Sequence, residues 1–194
     1  MKKLVKLFGL LLVAGALFVG CKQNVDIDAD KIELSNGTWD IKAELTGAYT
    51  EGALSGSIAY IMKEAIKVSG DKFTYLSESQ TIKVTLDCGS ADAAAEAKAS
   101  YDKAYAGNEN APTISVSGSK LIMSQTNDAD AEDIAAMNED ENLVSELVGD
   151  FPEDATLKRN KSKTEYKLTY VEKADPDDED DVDLKATVTF KKRK

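Results

Sequence analysis

The stretch Gly37–Leu45 reads GTWDIKAEL, and its alternation decides the class of the whole chain. Trp39, Ile41, Ala43 and Leu45 fall on one side, and Asp40, Lys42 and Glu44 on the other. A period of two is that of a β-strand with one buried and one wet face. The same alternation returns at Phe73 and Tyr75, at Ile82, Val84 and Leu86, at Ile114 and Val116, and at Leu121 and Met123. It closes the chain at Tyr166, Leu168 and Tyr170, then at Leu184, Ala186, Val188 and Phe190. Ala155 to Arg159 is less regular and is expected to pair with the strand around Tyr166. Eight strands are expected in all.

Three stretches depart from this period toward a helical one. Ile58, Ile61, Met62, Ala65 and Ile66 recur at three- and four-residue steps before Gly70, which predicts a helix over 51–69. Ser90 is placed to cap a second over 91–106, where Ala94, Ala97, Tyr101 and Tyr105 form a thin apolar stripe. A third is expected over 129–148, with a break near Asn138–Asp140.

The connections order these pieces. Ser77–Ser79, Gly118–Ser119 and Asn160–Lys163 are short enough for hairpins, whereas the remaining connections are long. If short and long links alternate in an up-and-down meander, every tight turn falls at one end and every insertion at the other. The expected fold is therefore mainly β with helical insertions, an eight-stranded antiparallel up-and-down barrel. Such a barrel has no exposed edges and can hold one small ligand.

The start of the chain has another character. Lys2, Lys3 and Lys6 precede an apolar run from Leu7 to Val19, which is shorter than the roughly 20 residues that a bilayer span needs. A basic start and a short apolar run are the marks of a secretory signal. The ending LFVGC, Leu17–Cys21, resembles the lipobox of bacterial lipoproteins. That resemblance implies cleavage after Gly20, a lipid on Cys21 and anchoring to a membrane through it. Residues 1–20 are then the signal peptide and 21–32 a flexible tether, leaving 33–194 as the folded domain. Cys88 has no second cysteine to pair with once Cys21 is lipidated, and it reads as a small core residue. Lys22 follows the cysteine in place of the aspartate that some lipoprotein systems use for inner-membrane retention, which favours an outer-membrane or surface location.

Composition narrows the chemistry. The formal charge is −11; without the three leader lysines, 21 basic residues face 35 acidic ones, a balance of −14. That argues against nucleic acid as a partner, because phosphate binding depends on clustered Lys and Arg. The chain contains no histidine. Ser-His-Asp and Cys-His nucleophilic systems are excluded with it, as are the commonest zinc and haem ligands. Asp26, Asp28 and Asp30 imitate the start of a calcium loop, but Lys31 replaces its turn glycine and Gly37 its bidentate glutamate. The acidic run at 175–183 and the shorter one at 138–141 read as solvated loops. No catalytic residue, metal or cofactor is expected.

GTWDI at 37–41 resembles the Gly-x-Trp strand opening of the lipocalin and wider calycin families, and ISVSGSKLIMS at 114–124 is similar to a hairpin of lipocalin-like bacterial lipoproteins. The resemblance implies that Trp39 packs across the barrel base beneath a basic residue, to be drawn from Lys191, Lys192 or Arg193. It also implies a small apolar or amphipathic ligand, lined by the inward-facing Trp39, Phe73, Tyr75, Tyr166, Tyr170 and Phe190. These six serve equally well as core filling. The competing expectation is thus a surface interaction or coat lipoprotein with a filled barrel, whose acidic loops meet a protein partner. A carboxylate enzyme ranks third.

Overall fold

The computed structural model describes residues 27–28, 31–108, 110–139, 155–173 and 183–194. They form one mainly β domain with the strands β1 (Ile27–Asp28), β2 (Gly37–Glu51), β3 (Leu54–Ser69), β4 (Lys72–Asp87), β5 (Thr113–Ser117), β6 (Lys120–Asp128), β7 (Thr156–Arg159), β8 (Glu165–Glu172) and β9 (Leu184–Lys192). Two helices, α1 (Ala91–Ala104) and α2 (Ala131–Glu139), follow β4 and β6. All ladders are antiparallel, and the order across the sheet is β1-β7-β8-β9-β2-β3-β4-β6-β5. The first and last long strands, β2 and β9, pair side by side, as they would in a closed barrel. Among the described residues, however, β5 and β1 end the sheet without pairing to each other, so the sheet is open. The meander is also broken, because β4 pairs with β6 and leaves β5 outside.

Two sequence expectations fail around β3 and β4. Residues 51–69 are not a helix: Leu54–Ser69 is a strand in unbroken register with β2, from Gly37↔Val68 to Glu51↔Leu54. Ile58, Tyr60, Met62, Ile66 and Val68 do alternate toward the core, but Glu64 occupies the same inward series and Ile61 faces outward, which disguises the period. Fifteen cross-strand partners with β2 satisfy the backbone and outweigh a short helical pattern. Likewise Ser77–Ser79 is not a hairpin, for Lys72–Asp87 is one strand. The register slips there instead: Ala65 faces Ser77 and Ile66 faces Tyr75, so Leu76 bulges out and is 45% exposed. The actual hairpins turn at Gly52–Ala53 and Gly70–Asp71, each with a glycine at φ near +60° in the first turn position. That is the type II′ geometry whose twist matches paired strands.

Tight turns consequently lie at both ends of the sheet, not at one. Gly52–Ala53 and Gly118–Ser119 sit at the Glu51 end, while Gly70–Asp71 and 160–164 sit at the Gly37 end. The chain terminus does return to the Gly37 end, where the Arg193 amide donates to the Thr38 carbonyl at 2.8 Å. Within the span 21–32, Ile27–Asp28 pairs with β7 and Ile32 is buried in the core, so these residues belong to the folded domain. Cys21, residues 140–148 of the third expected helix and most of the acidic run 175–183 lie outside the described residues.

One face of the sheet carries the core. Trp39, Ile41, Leu45, Ile66, Tyr166, Leu168, Val188 and Phe190 are all buried there in a single cluster. Helix α1 begins at Ser90, whose Oγ accepts the Ala93 amide at 3.1 Å, and it contacts β5 and β6. Leu86, Ala94 and Leu121 are buried in that region, outside the main cluster. Cys88 is a half-buried free thiol just past β4.

Candidate functional site

The six aromatic side chains expected inside divide into two groups. Trp39, Tyr75, Tyr166 and Phe190 are buried members of the main core, and Phe73 and Tyr170 are partly buried against it. Trp39 is fully buried, with Nε1 donating to the Ser35 carbonyl at 2.8 Å. Its ring lies 6.1 Å from that of Tyr166 and tilted by 43°. The Tyr166 hydroxyl donates to the Glu33 carbonyl at 2.9 Å, so both polar tips have partners. Burial raises the Tyr166 phenol above its ordinary range, and burial with nearby Glu172 pushes that of Tyr170 up to about 12. Lys192 is the basic residue that covers Trp39, with Nζ 6.0 Å from the ring centroid and 2.8 Å from Ser35 Oγ.

A group that sequence reasoning missed stands in the same inward layer. Glu64 on β3 faces Ile41 on β2 and Glu78 on β4, and it is only 4% exposed. Its Oε1 has no hydrogen-bond partner among the described residues. Desolvation, followed by repulsion from Glu78, pushes the carboxyl up to about 7. Glu78 itself accepts from Gln80 Nε2. The signal was present in the sequence as a glutamate at an inward position of an apolar series, and the helical reading of 51–69 hid it.

Helix α2 closes the edge of β4 where β6 has ended. Asn138 acts as a substitute strand there: its Oδ1 accepts the Tyr75 amide at 2.8 Å and its Nδ2 donates to the Tyr75 carbonyl at 3.0 Å. Ile134 and Met137 of the same helix pack on the main core.

The wet face is also shaped. A cleft of about 510 Å³ opens over the β3–β4 irregularity. It is lined by the small residues Ala65, Ser77 and Ser79 and by the charged Lys42, Lys63, Glu64, Glu78 and Asp128. Arg193, also in the lining, is tied to Asp40 Oδ1 through Nη2 at 2.6 Å and Nε at 2.9 Å. That volume falls in the small-ligand range. Among the described residues no three His, Cys, Asp or Glu side chains are grouped to hold a metal ion, and no helix is long and apolar enough to cross a membrane.

No protein-family model matches this chain, nor does any curated protein or any solved structure.

Proposed function

We propose that the chain is an exported, lipid-anchored, non-catalytic protein of the bacterial cell envelope that recognises a partner through its surface. The observation that carries this reading is how the inward side chains are used. Trp39, Tyr75, Tyr166 and Phe190 are consumed in packing one another and the neighbouring aliphatics. The ending Leu17–Cys21 supports lipidation, with signal peptidase removing residues 1–20. The short distance from the start of β2 to Arg193 supports an orientation with the C-terminal KKRK beside the anchor. Each basic residue so placed contributes about 1 kcal/mol of attraction to anionic lipid. The test is the mass of the full chain expressed in a bacterium. A lipidated mature chain starting at Cys21, lost in Cys21→Ser, is expected; an unlipidated chain from the unaltered sequence refutes the anchor.

A second reading places a small apolar or amphipathic ligand inside a lipocalin-like, eight-stranded barrel. It is favoured by the β2–β9 pairing and by the unpartnered carboxyl oxygen of Glu64 in the inward layer. Native mass spectrometry of the same chain separates the two. An adduct whose release lowers the melting temperature supports the interior site. A bare mass, with no shift by apolar probes, leaves the filled core.

A further inference from the structure

We infer that the wet face of the sheet binds a linear polyanion, an acidic polysaccharide carrying carboxylate or sulfate groups. The inference goes beyond the surface-recognition reading and holds whether or not the interior takes a ligand.

Sheet register builds the feature. Lys158 on β7 faces Lys167 on β8; Lys167 faces Thr189 on β9; Thr189 faces Lys42 on β2; and Lys42 faces Lys63 on β3. Four lysines and a threonine from five strands therefore stand in one row, about 19 Å long at the usual strand spacing. Asp28 and Asp128 bound it in register at its two ends. The chain neighbours of each row residue point into the core, among them Leu157, Leu168, Val188, Ala43 and Met62. The four lysines themselves are exposed.

Such a row is costly on its own account. Like charges directly opposite each other repel, and here Lys158 faces Lys167 and Lys42 faces Lys63. Lys42 has a partial remedy in Glu44 at 2.5 Å. Lys63, Lys158 and Lys167 have no ion pair among the described residues. A bound chain of anions would supply the missing charge. The whole protein carries −11, so a polyanion is repelled everywhere except at a local basic feature.

The chemistry around the row selects the class of polyanion. Among the described residues the wet face presents threonines, serines and the carboxylates of Asp40, Glu44 and Glu165 beside the lysines, and no aromatic ring. Single-stranded nucleic acid is held by stacking bases on aromatics, which this face lacks. Hydroxyl groups suit sugars. The row crosses a twisted sheet and ends at Lys63 beside the 510 Å³ cleft, whose lining adds Ser77 and Ser79 but also the carboxylates of Asp40, Glu64, Glu78 and Asp128, so the polyanion is held along the row and not in the cleft.

The test is fluorescence anisotropy with a labelled heparin oligosaccharide and a labelled polygalacturonate oligomer, at about 50 and about 200 mM salt. The protein is the full chain carrying Cys21→Ser. Binding of at least one probe is expected, weakening as salt rises. The double variant Lys42→Gln/Lys63→Gln should bind at least tenfold more weakly, with the salt slope reduced by about two. Lys103→Gln on α1 should bind as the parent does. The inference is overturned if neither probe binds at low salt, or if the double variant matches the parent. It is equally overturned if a thymidine 20-mer, or vesicles of phosphatidylglycerol, bind through the row more tightly than either oligosaccharide.

Discussion

Glu64→Gln should make the protein more stable in mild base and remove part of its pH dependence. Glu64 is 4% exposed, lacks a partner at Oε1, and has its carboxyl pushed from 4.5 up to about 7. The unfolded chain therefore releases this proton more readily than the folded one. The favourable contribution is fully present below about pH 4.5 and is lost as pH rises through about 7. The difference of about 2.5 pH units corresponds to about 3 kcal/mol at pH 8.5. Glutamine keeps the size of the side chain and stays neutral, so it escapes that loss, less about 1–2 kcal/mol for burying its amide. Urea unfolding of both proteins at pH 5 and pH 8.5 measures the difference. The variant should gain about 2.5 kcal/mol relative to the parent between the two conditions, or about 5–10 °C in melting temperature. Carboxylates remote from Glu64 contribute equally to both proteins and cancel in this comparison. A pH-independent difference between the two would refute the burial argument.

Two further substitutions probe the architecture. Asn138→Ala leaves the Tyr75 amide and carbonyl without their partner at the β4 edge and should cost about 2 kcal/mol in urea unfolding; an unchanged midpoint would mean that α2 does not cover that edge in solution. Gly56→Ala would place a methyl group 1.8 Å from the Thr85 carbonyl oxygen, so β3 and β4 must separate locally. Its cost should exceed about 2 kcal/mol, visible as a lowered melting temperature, and a neutral result would contradict the close approach of these strands.

Much of the sheet was legible because its signal is local. Over 39–45 of β2, 165–170 of β8 and 184–191 of β9 the inward residues are apolar and their outward neighbours polar, so the two faces can be read from spacing alone. The cap at Ser90 and the Gly118–Ser119 turn are equally short-range. β3 was misread because Glu64 interrupts its inward series, and the hairpin at Ser77–Ser79 because a bulge and a turn draw on the same residue types. The six aromatics were correctly picked as inward, yet spacing could not say whether they line a space or fill it.

By itself the sequence determined a mainly β domain without histidine chemistry, and which residues turn inward in the central parts of β2, β8 and β9. Tertiary structure alone decided that Lys42, Lys63, Lys158 and Lys167 share one row, that Glu64 meets Glu78, and that Asn138 completes the edge of β4. The reason is physical. Periodicity reports which face of a strand a residue occupies, whereas strand order and register, which bring distant residues together, are set by long-range backbone pairing that no local window contains.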